Sequence, residues 1–368
     1  MMNVWRHVPR IGICVCVCIS ANVSLGQGVT RRGGEGALRG SIALIDDSGV
    51  TLQSDLGATH FVPWDRVASV ESRDHQSQID RYRETATALW RARSRVERND
   101  LAMAEPLLER LFEQYRGQTH ETALVVAEGL LRCRLGRGAQ HLAIIPALET
   151  IRLRRAGVTS VSYSMLPDVI DKDTSLCLRL PPYWLDGAHS DSLQLRLNDY
   201  DAHGDAVVAA IAALYRMSLS GDIEPVDAPD HAGVTLLRRC LAAFGDENTD
   251  VRESARNWLL EREQKVGNEQ AAWCRFFAGV SFLKETGVVR QQRGILNLLH
   301  LPARFAKVQP YLSGIAMTLA ADVLESEGDR KTADAFRSEF RARFPYHPAG
   351  RPAARQRSRD LPATEVPD

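Results

Sequence analysis

The sequence predicts a mainly α-helical protein in which paired helices follow a small β module. Two observations lead to this prediction. Apolar residues recur at helical spacing over most of the chain from about residue 78 to residue 345, which is the pattern of helices with one buried face. Between residues 37 and 72 the chain instead has short β-rich runs separated by Asp and Gly turns, which is typical of antiparallel hairpins.

Composition and charge place the chain among ordinary globular proteins. Its 368 residues are 44% hydrophobic and 25% charged, which disfavours a disordered or fibrous protein. The 46 basic and 46 acidic side chains cancel, and removal of residues 1–26, which hold two arginines and no acidic residue, leaves a net charge of −2. This balance predicts no electrostatic attraction to nucleic acid.

Residues 1–26 have the layout of a secretory signal peptide. A basic start is followed by an apolar run from Ile11 to Ile19 and by small residues at Ser24 and Gly26. Cleavage after Gly26 would release a periplasmic or extracellular protein with no membrane span. An uncleaved N-terminal anchor is the alternative, although the apolar run is well short of the ~20 residues that cross a bilayer.

Four cysteines remain after residue 26, and their wide spacings match no metal-site pattern. Cys133, Cys240 and Cys274 lie in predicted amphipathic helices, where a free thiol behaves as a small apolar group. An oxidising compartment would also permit disulfides among these three and Cys177. The sequence leaves their pairing open.

The β module is predicted over residues 37–72, behind a flexible linker at 27–36 that is rich in Gly, Arg and Gln. We expect a four-stranded meander curled like a small SH3-like or Sm-like sheet. A unit of this size buries too little surface to be stable alone, so it should pack against the first helices. Trp64 is the expected anchor for that packing.

Helical hairpins are predicted over 75–157 and a helical repeat region over 204–348, followed by a disordered tail at 349–368. Residues 158–203 interrupt the helical pattern with prolines and aromatic residues. Such a long irregular segment inside a compact domain is uncommon unless it is functional or disordered. Its apolar content disfavours disorder, so we expect it to pack across one face of the helices.

Three predicted helix pairs share a turn residue five positions before an alanine. These pairs are Asn99 with Ala104, Gly138 with Ala143, and Gly328 with Ala333. At these residues the chain resembles tetratricopeptide repeats, and the last pair matches best because Ala321 and Pro345 also fit. The tryptophan and tyrosine usual in the family's first helix are absent. The resemblance implies a right-handed α-solenoid that holds partners, and it implies no chemistry.

The closest approach to a metal motif is the acidic loop Asp199 to Asp205, which resembles the start of a calcium loop. Its twelfth position is Ala210 instead of a bidentate glutamate, and His203 stands where an oxygen ligand is expected. We therefore expect a polar loop in which Asp205 caps the next helix. Ion binding by this loop stays open.

Candidate chemistry is otherwise weak. A second acidic cluster, Asp168, Asp171 and Asp173, is expected to be a solvated turn. The sequence has no serine elbow and no phosphate-binding glycine loop after a strand, so no catalytic residue, metal ligand or cofactor is predicted.

The candidate interaction surface is formed by Pro181, Pro182, Tyr183 and Trp184. Tyrosine and tryptophan beside a rigid proline pair cost little entropy to present, and both are favoured in binding hot spots. The alternative is that these residues fill a gap between helices.

Together these patterns predict an exported scaffold or accessory subunit that binds another protein of the cell envelope and catalyses no reaction. The expected surface is the concave face of the helical array, helped by the β module. An envelope hydrolase or carbohydrate-binding enzyme with a site in residues 160–203 is the alternative, and a structural lid without a specific partner is a third. A deep pocket with carboxylates and a histidine from that segment would favour the enzyme. The sequence does not define the oligomeric state.

Overall fold

The computed structural model describes residues 27–184, 190–221 and 229–350 of the chain. Within these ranges six β-strands precede twelve α-helices, so the predicted mainly helical fold with a small N-terminal β region is confirmed. The predicted signal peptide at 1–26 and the predicted tail after residue 350 lie outside the described residues. None of the described helices is long and apolar enough to cross a membrane.

Two three-stranded antiparallel sheets form the β module. Its strands are β1 (Gly28–Arg31), β2 (Ala37–Arg39), β3 (Ser41–Ile45), β4 (Gly49–Gln53), β5 (Thr59–Pro63) and β6 (Val67–Glu71). One sheet has the order β2-β1-β6 and the other has the order β3-β4-β5. In the second sheet Ile42, Leu52 and Val62 point inward and are buried, as the alternating pattern of a half-buried strand requires.

Strand β1 contradicts the prediction that residues 27–36 form a flexible linker. Val29 is fully buried and pairs with Leu38 on one side and with Val70 on the other. The strand holds a single large apolar residue, so its sequence shows no alternation. The module therefore begins with β1 and has six strands instead of the predicted four.

Helices follow one another with short turns over most of the chain. They are α1 (Gln76–Glu97), α2 (Leu101–Tyr115), α3 (Glu121–Gly136), α4 (Gln140–Arg155), α5 (Ser190–Asn198), α6 (Ala206–Ser220), α7 (Ala232–Gly245), α8 (Thr249–Glu263), α9 (Asn268–Leu283), α10 (Val288–His300), α11 (Pro310–Ser326) and α12 (Arg330–Arg343). Each helix packs against the next helix in the sequence, from α1 to α12. One apolar core extends without a break from Val29 in β1 to Leu319 in α11.

The predicted turn and alanine pattern is confirmed in all three helix pairs. Asn99, Gly138 and Gly328 have φ angles of 61°, 74° and 91°, the left-handed backbone that ends a helix. Ala104, Ala143 and Ala333 are each 0% exposed. The small side chains therefore lie in the helix contacts, as the pattern predicted.

The predicted irregular segment at 158–203 is only partly irregular. Residues 158–184, here called the strap, contain no helix, whereas α5 forms at Ser190–Asn198. Leu193 and Leu197 are buried on one side of α5. The sequence analysis missed this helix because leucines at positions 193, 195 and 197 alternate with polar residues, as they would in a strand.

The end of the described chain is packed against α11 and α12. His347 stacks on Tyr311, with ring centroids 5.5 Å apart, and its Nε2 lies 2.8 Å from the Tyr311 carbonyl oxygen. Ala349, placed in the predicted tail, is buried beside Met317 and Phe340. The packed part of the chain thus extends past residue 348, where the tail was predicted to begin.

Candidate functional site

Trp64 fastens the β module to α1, as predicted. The side chain is 1% exposed, and its Nε1–H donates to the carbonyl oxygen of Asp46 at 2.7 Å. Its ring stacks on Tyr82 of α1 with centroids 4.9 Å apart. A second attachment comes from α3, where the Thr122 hydroxyl donates to the Ser48 carbonyl oxygen at 2.6 Å. The module is therefore held by two helices.

The next residue, Asp65, is fully buried where the module, α1 and the strap meet. Its Oδ2 accepts hydrogen bonds from Arg93 Nη1 and from Ser162 Oγ, each at 2.9 Å. Its Oδ1 has no hydrogen-bond partner within the described part of the chain. Burial raises the pKa of Asp65, while Arg93 and Ser162 oppose that rise. The Asp65 carboxyl group joins the module, α1 and the strap through these hydrogen bonds. Because it is shielded from solvent, it is not accessible to a substrate.

A second contact between a serine and a carboxyl group lies near the first. Ser160 Oγ of the strap donates to Glu121 Oε1 of α3 at 2.9 Å. Burial raises the pKa of Glu121, the Ser160 hydrogen bond lowers it, and the charge of Asp65 raises it further. The two contacts join residues 39 and 97 positions apart, and no pattern in the sequence pointed to either.

Beyond its serines the strap lies on the helices. Tyr163 donates through its hydroxyl to the Val125 carbonyl oxygen of α3 at 3.2 Å. The carbonyl oxygen of Leu178 accepts from Trp273 Nε1 of α9 at 2.7 Å and from Gln309 Nε2. Thirteen of the sixteen residues of α3 and twelve of the sixteen of α9 are buried, so neither helix keeps a free face. The described residues of the strap therefore cover parts of α3 and α9.

Of the two alternatives for Pro181, Pro182, Tyr183 and Trp184, an interaction surface or the filling of a gap between helices, the structure fits the second. Both prolines and Trp184 are buried, and Tyr183 is half-buried. Tyr183 meets Phe276 of α9 edge to face with centroids 5.0 Å apart, and Trp184 Nε1 donates to Ser218 Oγ of α6 at 2.7 Å. The polar atom of Trp184 finds its partner inside the protein, so these residues fill a gap between helices.

The acidic loop at 199–205 acts as a helix cap, as expected. Asp205 Oδ1 accepts from the backbone amides of Val207 and Val208 at 2.9 and 3.1 Å, and its Oδ2 accepts from Arg155 Nε at 2.8 Å. In the second cluster, Asp171 Oδ1 accepts from Gln270 Nε2 at 3.1 Å. Among the residues that the structure describes, no three His, Cys, Asp or Glu side chains are grouped so that they could hold a metal ion.

The four cysteines are buried free thiols in this structure. Burial raises the pKa of Cys133, Cys177 and Cys274 to about 12, and it raises that of Cys240 as well. Thiols with such pKa values stay protonated and unreactive near neutral pH. They act as small apolar groups of the core.

Exposed apolar side chains cross the second sheet of the module. Leu44, Thr51 and Phe61, here called the outer row, are register neighbours on β3, β4 and β5. Leu44 is 52% exposed and Phe61 is 42% exposed. Leu56, in the turn before β5, is 98% exposed. The outer row is thus an apolar strip on the side of the sheet that faces away from the core.

The fold and these surfaces define a mainly helical protein with a small β module fixed to its first helices and with its own strap lying on α3 and α9. Comparison of the chain with protein-family models, with curated proteins and with solved structures gives no match. Its residues and their geometry are therefore the basis for assigning a function.

Proposed function

We propose that this protein is an exported scaffold or accessory subunit that binds another protein of the cell envelope through the outer row of its β module. The observation that carries this proposal is the exposure of Leu44 and Phe61 on a sheet that Trp64 and Asp65 fix to the helices. A rigid apolar strip loses little entropy when a partner covers it. Covering the exposed parts of both side chains would contribute roughly 2 kcal/mol.

A tetratricopeptide-like solenoid is the architecture we propose for the helices. Its support is a 34-residue offset between equivalent positions on α8 and α10. Arg256 and Arg290, 34 positions apart, both pair with Glu285. Glu263 and Asn297, also 34 positions apart, both contact Arg275 of α9 at 2.6 and 2.8 Å. Thirty-four residues is the length of this repeat.

For the β module we propose an SH3-like barrel. The first strand pairs with the last, a 3₁₀ turn at Trp64–Arg66 precedes β6, and only Gly40 separates β2 from β3. In such a barrel the two small sheets enclose one core, and the close connection between β2 and β3 protects their edges. Small barrels of this kind leave one sheet face open to solvent, which is where the outer row lies.

The partner surface we propose differs from the expected concave face of the helices. Side chains of α3 and α9 are buried nearly all round, partly under the strap. A partner would have to displace Leu176, Leu178 and Leu180, which are at most 3% exposed. Burial of leucine side chains at this level stabilises the strap by several kcal/mol in total, about 1.5 to 3 kcal/mol for each. The outer row needs no such displacement.

The competing function is an envelope hydrolase or carbohydrate-binding enzyme with its site in residues 160–203. Its best support is the group formed by Asp65, Glu121, Ser160 and Ser162, because raised carboxyl pKa values are common at active sites. Asp65 is 0% exposed, however, and both serines already donate to the two carboxyl groups. We therefore favour the scaffold.

Photocrosslinking in the envelope tests this proposal. A benzophenone amino acid placed at Phe61 should yield one reproducible adduct, and the same probe at Leu195 of α5, which is 64% exposed, should not. Addition of Leu44→Ser to the Phe61 probe should reduce the adduct because it removes half of the apolar strip. Adducts that do not depend on the probe position, or turnover of a cell-wall glycan by the purified protein, would contradict the proposal.

A further inference from the structure

Helices α8 and α10 both pack against α9. The buried Arg256 of α8 and Arg290 of α10 both pair with Glu285, just after the end of α9. Arg256 and Arg293 also lie over the ring of Phe282, at 4.2 and 5.3 Å from its centroid. These shared contacts bring the two helices near each other around Phe282 and Glu285, and the solvent-facing sides of the two helices are together called the α8–α10 face.

The α8 half of this face is acidic. Asp250, Glu253 and Glu261 are exposed at helical spacing along it, and together with Trp258 they line a shallow surface depression. Arg256 partly neutralises this row, because it lies 3.7 Å from the Glu253 carboxylate, whereas Arg252 and Arg262 contact other groups. Arg252 donates to the carbonyl oxygens of Asp246 and Glu247, Arg256 is buried against Glu285, and Arg262 lies over Trp258.

The α10 half is apolar and basic. Val288, Val289 and Leu296 are 61%, 79% and 69% exposed, the largest group of exposed aliphatic side chains on any described helix. Arg293 is exposed among them. Helix α10 has no acidic residue, and its two arginines are Arg290, which pairs with Glu285, and Arg293. This half therefore combines uncovered apolar surface with positive charge.

We propose that the α8–α10 face binds a second copy of this chain. A two-fold axis that lies between α8 and α10 and runs along them places the acidic α8 of each copy on the basic α10 of the other. Each attractive contact is then made twice, and like charges do not face each other. The aliphatic side chains of α10 would pack beside Trp258 of the partner copy. This inference does not depend on the scaffold function, since it uses a different surface.

The size of the face sets the expected strength of the dimer. Two helices of about 15 residues cover roughly 20 Å by 20 Å, or on the order of 400 Å² per copy. That is about half of the ~800 Å² per partner in a standard interface. We therefore expect a reversible dimer with a dissociation constant on the order of tens of micromolar, weakened by salt because exposed charges contribute to it.

Sedimentation of the chain from residue 27 to residue 368 tests the proposal. From low to several hundred micromolar protein, the dimer should appear at about 20 mM NaCl and recede at about 500 mM NaCl. Either Glu253→Arg with Glu261→Arg, or Arg293→Glu alone, should weaken self-association by roughly tenfold or more because each change is felt twice in a symmetric dimer. Leu296→Glu should act in the same direction.

Mixing the two charge-reversed chains distinguishes this interface from any other. In the mixed dimer one contact joins two reversed helices and the other joins two native ones, so both are attractive and association should recover. Glu84→Arg on α1 is the control for charge and Leu195→Glu on α5 is the control for apolar loss, since both residues are exposed elsewhere. A chain that stays monomeric throughout, or variants that associate like the wild type and show no recovery on mixing, would overturn the proposal.

Discussion

The stability of the junction between the β module, α1 and the strap depends strongly on the Asp65 side chain. Its carboxyl group is 0% exposed and depends on Arg93 and Ser162 for its hydrogen bonds. A buried charge without its partner is costly, whereas an exposed ion pair contributes little. Arg93, which pairs with the buried Asp65, and Arg83, which pairs with the exposed Asp80, therefore differ in importance, although both are arginines of α1 paired with an aspartate.

Arg93→Ala should destabilise the protein by about 3 kcal/mol or more, because it leaves the Asp65 carboxyl buried with Ser162 alone. The matched change Arg83→Ala, which removes an exposed pair with Asp80, should cost under about 0.5 kcal/mol. Urea unfolding of both variants gives the comparison. Equal losses of unfolding free energy from the two substitutions would show that the pair of Arg93 with Asp65 does not contribute as a buried ion pair.

His347 should make stability depend on pH. Burial among aromatic side chains lowers its pKa to about 4, although the hydrogen bond with the Tyr311 carbonyl oxygen raises it. The unfolded chain, with a histidine pKa of about 6.5, binds more protons between these values, so stability is complete above about pH 6.5 and is lost as pH falls toward 4. The loss should reach up to about 3 kcal/mol.

Unfolding of the wild type and of His347→Gln at about pH 7.5 and about pH 4.5 checks this sign. Other histidines with lowered pKa values, including His120 and His231, contribute to both proteins, so the difference between the two slopes isolates His347. The wild type should lose more stability on acidification than the variant does. Parallel pH profiles would exclude His347 as the source.

At the scale of elements, the strap depends on close backbone contact with α7. A Cβ added to Gly233 would lie 2.1 Å from the Thr174 carbonyl oxygen of the strap. Gly233→Ala should therefore push the strap outward and destabilise the protein by at least about 1 kcal/mol. Gly267→Ala, where a Cβ meets nothing within 4 Å, is the control.

Hydrogen exchange of the strap amides tests this contact. Gly233→Ala should speed exchange around residues 170–180 and leave the β module protected, because local opening exposes only that segment. If exchange in the strap were unchanged while global stability fell, the strap would not be held by α7.

Elements that are defined by contacts between residues close in sequence were mostly predicted correctly, whereas an element that depends on contacts between distant residues was missed. The turns at Asn99, Gly138 and Gly328 are local, and their positions were correct. Strand β1 was missed because its four residues carry one large apolar side chain and pair with strands up to 43 positions away. The sequence left two alternatives open for Pro181 to Trp184, because an aromatic group beside prolines has the same pattern whether it points into the core or into solvent.

At the scale of the whole molecule, the described part of the chain covers α3 and α9 with its own strap and exposes apolar groups on the module and on α10. The strap lies on α3 and α9, while the outer row on the module and the aliphatic face of α10 stay exposed. Exposed apolar groups of this kind often mark sites of protein contact. A continuous core from β1 to α11 means that a partner on the module would be held rigidly relative to the helices.

Co-purification from envelope fractions tests the central claim that the protein acts by binding through its module. Three forms are compared: the wild type, Leu44→Ser with Phe61→Ser, and Leu195→Ser as an exposed control on α5. The wild type and the control should recover the same protein, and the module variant should lose it while keeping its helical circular dichroism. Equal recovery by all three forms would contradict the account.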